Sequence, residues 1–571
     1  MRPVPWFPLA LSLAVVAASA SAPSRAETID FKSMGSFTTP DLIGTNFSIT
    51  AESSPGVVGQ VNVLNFNGLG VVGGSNNFFI DGQEALIFQF TESPVAGLSL
   101  FSQSLGNGNG DSHLGSITVQ AFGVNGLSLG TVPMADNFDQ DVSGAFSGAP
   151  ISKVIIRADA DLRIESTMTF TQVFPDMHWS NPASGTWDGP NWNSVYQPGP
   201  NNNMFIDPAG GVVVTASSSN RVAKSLTVGA TSSGLASLHL DNGGDLTATN
   251  GVSVGPHGEI VVGTGRVLQA PTLTNAGFVR GDGQIDASLI NQPTGQVIVS
   301  SGQQLQFTGT SNTNAGSIQV IGGTVQFTGA LVNQASTGII TGRNAVMRFD
   351  GGLTNAGSLA LSSGNSDVFG KIVNTGRIAV AGSASATFYD DLVQNGTFVV
   401  AKAGSTSAVA VLFGAFSGSG GFTGGGDVFV LGDLRPGNSP AIVHYGGNVF
   451  LGPSTNTVID IAGVNPGQFD VLQIDGQAGL DGKLTINPED FSFTPGHAYS
   501  FLFLTAGGGV EGQFAGLTDN SLVGTFDGVN LYIDYQPNAV VLYAVPEPST
   551  YALLAIGLGM LGFASTRRRQ A

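Results

Sequence analysis

Short apolar pairs broken by polar corners recur along much of the chain. The clearest copies are Leu273-Thr274-Asn275-Ala276-Gly277, Leu353-Thr354-Asn355-Ala356-Gly357, Ile372-Val373-Asn374-Thr375-Gly376 and Leu392-Val393-Gln394-Asn395-Gly396. Looser copies sit at Asn291, Asn314 and Asn333. From Asn275 to Asn395 the successive asparagines lie 16, 23, 19, 22, 19 and 21 residues apart. A period near twenty signals a stacked solenoid, because one rung is too small to bury its own apolar residues. Strands of such a stack run ~4.8 Å apart, so residues 205–430 would hold about eleven rungs over roughly 50 Å. The form expected is a right-handed parallel β-helix. Asparagine is expected at its corners in the left-handed conformation, laddering its amide from rung to rung.

The pattern changes on either side. Between residues 27 and 175, apolar or alternating runs are separated by turn residues. They fall at 46–50, 61–66, 85–90, 117–122 and 154–157. This spacing predicts a β-sandwich, giving an all-β chain. Residues 176–204 hold Trp179, Trp187 and Trp192 among Pro, Gly and Asn. They fit a cap that covers the open end of the solenoid, or a platform on which sugar rings stack. Residues 431–544 form a further β region.

Both ends carry membrane-directed patterns. Met1-Arg2, an apolar run from Phe7 to Ala20 and Ser24-Arg25-Ala26 make residues 1–26 a signal peptide, with Glu27 as the mature start. At the other end, Val545, Pro546, Glu547, Pro548 and Ser549 precede an apolar run from Tyr551 to Ala564. Arg567, Arg568 and Arg569 then form a basic stop, which holds the C-terminus on the cytoplasmic side. Residues 545–571 thus read as a sorting signal with a transmembrane helix. The apolar core of 14 residues is short against the ~20 that span a bilayer.

Composition narrows the chemistry. There is no cysteine, which excludes disulfides and thiolate metal sites. Glycine numbers 82 and charged residues make up 10%, as suits a turn-rich β surface protein. A net charge of −19 argues against a nucleic-acid partner. The histidines, His113, His178, His239, His257, His444 and His497, are scattered and form no metal pair. Gly68-Leu69-Gly70-Val71-Val72-Gly73 has dinucleotide-loop spacing, but no helix is expected after it. Asp282 and Asp286, four apart, would share a face of one straight strand and are the only carboxylate pair suited to glycoside chemistry. No catalytic residue is assigned. Thr247 and Thr249 make a single Thr-x-Thr pair that does not repeat, so an ice-binding face has little support.

Two resemblances add to this reading. The tail resembles the PEP-CTERM sorting signal of exopolysaccharide-producing Gram-negative bacteria, which implies handling by an exosortase, a membrane peptidase. Residues 179 to about 543 resemble autotransporter passenger repeats. The match runs through Leu431-Gly432-Asp433-Leu434-Arg435-Pro436-Gly437-Asn438-Ser439-Pro440, most specific from Pro436 to Pro440, and continues in Phe469-Asp470 and Gly512-Gln513-Phe514. Where that family carries an outer-membrane barrel, the sorting tail stands instead. Residues 67–90 look like jelly-roll modules found upstream of such tails. That likeness implies structural calcium, with Asp81, Glu84 and Asp111 as candidate ligands and no other cofactor. The expectation is an exported structural or adhesive protein of the envelope, cell surface or matrix, associated with extracellular polysaccharide or biofilm. Its C-terminus would lie initially in the inner membrane. A carbohydrate-binding module is the alternative, ahead of a polysaccharide-degrading enzyme or an ice-binding protein.

Overall fold

The computed structural model describes residues 26–545 except 35, 40, 45, 65–67, 73–79, 81–83, 105–116, 135–138, 159–161, 219–220, 231–232 and 438–439, together with residues 556–561. It is all-β and divides into two compact units, residues 1–178 with 192–203 and residues 179–191 with 204–571.

In the first unit the described strands pair antiparallel. Phe47–Ser54, Ala85–Phe90, Ile151–Ala158, Ile117–Gly123 and Ser128–Met134 lie side by side in that order. Val95–Ser104 pairs with Leu162–Gln172, which pairs in turn with Ala26–Asp30. Alternation puts Val119, Val154, Ile156 and Phe88 inward around one core with Phe47, Phe90 and Phe170. Burying each such side chain contributes about 1.5–3 kcal/mol. These strands are joined in one hydrogen-bonded network, bent where the register of Leu162–Gln172 slips. The two separate sheets expected of a jelly roll are therefore not set out.

The second unit is a parallel β-solenoid. A representative rung consists of Ser317–Ile321, Thr324–Phe327 and Ala330–Asn333, one strand to each of three faces. Ser317 faces Ile339 on the next rung, Thr324 faces Val346, and Leu331 faces Leu353. Strands of the first face begin at residues 212, 236, 258, 278, 296, 317, 339, 358, 377, 397 and 422, giving eleven rungs between residues 205 and 430. Parallel stacking continues beyond residue 430, through Ile442–Tyr445 and Val471–Ile474 to Tyr499–Ala506. There it gives way to an antiparallel end, in which Ala539–Ala544 pairs with Tyr499–Ala506 on one side and Val529–Gln536 on the other.

The amide ladder is present. Asn275 Nδ2 donates to Asn291 Oδ1 at 2.8 Å, and the chain of bonds runs on through Asn314, Asn333, Asn355 and Asn374 at 2.7 Å each. Asn374 Nδ2 then donates to Gln394 Oε1 at 2.6 Å. All seven side chains are buried. Two details differ from expectation. The last member is Gln394, the inward residue of Leu392–Gln394, whereas Asn395 is exposed. The ladder residues are strand residues and none has a positive φ, so amide bonding rather than left-handed geometry selects asparagine.

Close stacking also explains the glycine two places on. A Cβ on Gly376 would lie 2.2 Å from the carbonyl oxygen of Gly357, and one on Gly357 would lie 2.3 Å from that of Gly338. Neither glycine has positive φ, so it is the approach of the neighbouring rung that demands them. Beside the amides, Phe307, Phe327 and Phe349 stack face to face in the interior, with centroids 4.8 and 6.2 Å apart.

Candidate functional site

The sequence-derived candidates do not converge on one place. Asp282 sits at a corner before Gln284–Asn291, while Asp286 is an outward residue within that strand. Each is already engaged. Asp282 accepts from the Gln304 backbone N–H at 2.6 Å and from Thr264 Oγ1 at 2.8 Å. Asp286 accepts from Thr308 Oγ1 at 2.7 Å. Thr264, Arg266, Gln284 and Gln304 join Asp282 around a shallow cavity of about 320 Å³. The carboxylates thus tie neighbouring rungs together, and the corner between the two removes the shared face on which a catalytic reading depended.

Trp179 and Trp187 belong to the solenoid unit and Trp192 to the first unit. Gly185–Thr186 pairs parallel with Val214 and Thr215, and the Trp187 N–H donates to the Thr215 carbonyl at 2.9 Å, starting the first face. The three indoles are 4%, 1% and 5% exposed, so a stacked sugar would need their faces uncovered. Glu84 is buried. Asp81 and Asp111 lie outside the described residues, among which no group of three His, Asp or Glu side chains could hold a metal ion.

Of the tail, Val545 is exposed directly after Ala539–Ala544. Pro546, Glu547, Pro548, Ser549, Arg567, Arg568 and Arg569 lie outside the described residues. Residues 556–561 are helical with every side chain exposed. Among the described residues no helix is long and apolar enough to cross a membrane, so the spanning helix expected over residues 551–564 is not shown.

Two features escaped the sequence reading. The first is the role of Asp470, fully buried beside Ala441. Its Oδ1 accepts from the Ala441 backbone N–H at 2.7 Å and its Oδ2 from that of Asp460 at 2.9 Å. Burial pushes its carboxyl up to about 7, aided by the charges of Asp460 and Glu489 and opposed by the two backbone bonds.

The second is a strip of aromatic side chains on the outside of the second face. Register places Arg348, Phe369, Tyr389, Phe413 and Leu431 in one outward column. Thr387, Val411, Phe429 and Phe450 form the column beside it. Phe369 and Tyr389 stack at 4.4 Å and 3°, Tyr389 and Phe413 at 5.5 Å and 6°, and Phe429 and Phe450 at 4.9 Å and 23°. Arg348 lies over the Phe369 ring at 4.6 Å. Tyr389 is 39% exposed and Phe413 49%. The strip ends at two glycines. A Cβ on Gly452 would meet Leu431 at 2.5 Å, and one on Gly479 would meet Phe450 at 2.7 Å. The signal for this strip was an outward aromatic recurring at the rung period.

Comparison with known proteins places the PEP-CTERM protein-sorting motif at residues 544–569, so its match begins on the last residue of Ala539–Ala544. No curated protein matches the chain. Among solved structures, the catalytic unit of a thermostable GH87 alpha-1,3-glucanase from Streptomyces thermodiastaticus strain HF3-3 aligns with 11% identity. The alignment covers 83% of this chain and 98% of that one, with a TM-score of 0.21. The sorting motif marks an exported, envelope-associated protein. The likeness to the glucanase is too slight to carry chemistry.

Proposed function

We propose that this chain is a non-catalytic structural or adhesive protein, surface-anchored or released into the matrix, that presents a long β-solenoid to extracellular polysaccharide. The observation that carries this reading is the unbroken parallel stack. Its interior is filled by aliphatic, aromatic and amide columns, and the outward carboxylates of Asp282 and Asp286 are spent on rung-to-rung bonds. A solenoid of this kind offers long, repetitive outer faces rather than a pocket. An exosortase-type peptidase as processing partner, membrane insertion through residues 551–564, and structural calcium at Asp81, Glu84 and Asp111 belong to the same proposal.

The test has two arms. Cells producing the chain with Pro546, Glu547 and Pro548 all changed to alanine should accumulate an unprocessed, membrane-fraction form, while the native tail yields surface or released protein. Identical fractionation of the two would remove the role given to the tail. Purified chain incubated with a panel of polysaccharides should release no reducing ends. Release abolished by Asp282→Asn or Asp286→Asn would replace the structural reading with an enzymatic one.

A further inference from the structure

The aromatic strip is not explained by folding. The outward positions on earlier rungs of the same face are Gln304, Gln306, Thr324 and Gln326, the polar residues expected on a solvated sheet. From Phe369 to Phe450 the outward positions instead include Phe369, Tyr389, Val409, Val411, Phe413, Phe429, Leu431 and Phe450, interspersed with polar Ser385, Thr387, Asp427 and Asn448.

The stacking geometry decides what these rings can offer. Parallel rings in contact lie about 3.6 Å apart. A centroid distance of 5.5 Å between Tyr389 and Phe413 therefore requires a lateral slip of roughly 4 Å, and 4.4 Å between Phe369 and Tyr389 a slip of roughly 2.5 Å. The rings form a staircase on which part of each face stays uncovered, consistent with the exposure of Tyr389 and Phe413. Acceptors stand beside the steps. Asp367 takes the Tyr389 hydroxyl at 3.2 Å, and Asp350 accepts from Gln326 at 2.6 Å and pairs with Arg348 at 3.8 Å, leaving each carboxylate further lone pairs.

We propose that this strip binds an extended neutral glycan laid along the rod axis. Uncovered ring faces suit the C–H faces of pyranose rings, and the adjoining carboxylates accept from sugar hydroxyls. The rung rise of ~4.8 Å is close to the length of one hexose unit, so successive sugars would meet successive steps. The carboxylates and the overall charge of −19 disfavour an acidic polymer. A second protein copy fits less well. The strip measures roughly 20 Å by 10 Å, a small part of the ~800 Å² that each partner of a stable interface buries. The inference rests on the polysaccharide reading above and assigns it a place.

The full-length purified chain should be titrated calorimetrically with neutral hexaoses of cello-, laminari- and isomalto-type, and with alginate as an anionic contrast. At least one neutral oligosaccharide should bind. The double variant Tyr389→Ala with Phe413→Ala should lose roughly tenfold or more in affinity, about 1.4 kcal/mol. Its thermal midpoint should fall far less than for a buried ring, since Tyr389 and Phe413 are 39% and 49% exposed. Tyr389→Phe, which keeps the ring, and Gln306→Ala, outside the strip, should both retain affinity. Binding undiminished in the double variant would overturn the strip and leave the polysaccharide reading standing. No binding by the native chain would sink both. A preference for alginate, or a concentration-dependent dimer abolished by the double variant, would each overturn the neutral-glycan assignment.

Discussion

The solenoid contains two kinds of rung, and the contrast between them shows what sets its regularity. In the ladder section, Val297 faces Ile318, Ile340 faces Leu359 and Leu359 faces Ile378, so a turn takes about twenty residues. In the later section, Tyr445 faces Ile474 and Leu472 faces Leu504, with turns near thirty. The amide column ends at Gln394. Between it and those longer turns, Phe398, Phe422 and Tyr445 stack in the interior at 4.7 Å in each pair, with turns of 24 and 23 residues. A side-chain amide bond tolerates only a few tenths of an ångström, so each Asn fixes the position of the next. Ring stacks accept centroid separations from about 4.5 to 7 Å, so loops can grow between the strands without breaking them. On this view the ladder fixes where each rung sits on the next, while the residues between ladder members still vary from 16 to 23, and the aromatic column only fills space.

The sharpest way to break that contrast is Asn333→Asp. It buries a carboxylate that cannot donate to Asn355, to the Gly338 carbonyl or to the Ser358 carbonyl. The ladder section should lose roughly 3–5 kcal/mol, read as local opening by hydrogen exchange. Unchanged protection would show that the amides do not govern the stack. Phe422→Ala tests the other section. Emptying a buried ring position there should cost about 3 kcal/mol, with rung lengths intact in a structure of the variant. Loss of register instead would mean that the rings also set spacing.

A different effect separates the sections by pH. The Asp470 carboxyl, raised from its usual 3.8 to about 7, favours the folded state while it keeps its proton. Below pH 3.8 that contribution is fully present. It is lost as pH rises through about 7, because the unfolded chain releases the proton earlier. Exchange protection around Ala441 and Asp460 should therefore fall between about pH 4 and 7, with rungs 275–394 unaffected. A flat profile would remove Asp470 from the account. Smallest is the comparison at the ladder's end. Gln394→Ala leaves Asn374 without its acceptor and should cost roughly 1–3 kcal/mol, whereas Asn395→Ala, at the surface, should stay within about 0.5 kcal/mol. The reverse order would restore Asn395 to the ladder.

The same residues show how far the sequence could be read. The period, the all-β class and the amide ladder were legible because Asn275, Asn355 and Asn374 each precede a Gly at a fixed offset. Following the asparagines themselves assigned the last rung to Asn395, although the same offset from Gly396 falls on Gln394. There, Gln394 holds the inward position and its extra methylene reaches the neighbouring amide. Phe369, Tyr389 and Phe413 were hidden for a related reason. Strand side chains alternate, and only the inward neighbours Val368, Phe388 and Leu412 show which set faces water. Asp470 was legible only as part of a family-like motif, since its partners are backbone N–H groups 10 and 29 residues away. The corner between Asp282 and Asp286 was equally invisible in the spacing of the two carboxylates.

The strand Ala539–Ala544 has a mechanical meaning. The sorting motif begins on its final residue, so under the anchoring proposed above traction on the tail would pass into this strand. The strand is hydrogen-bonded on both edges, to Tyr499–Ala506 and to Val529–Gln536, and a pull along its axis loads both ladders in shear. Shear breaks many bonds together, whereas peeling breaks them one at a time. The lifetime of a tethered molecule under load is set by its unfolding rate. Under the surface anchoring proposed above, this strand would act as a grip on the body.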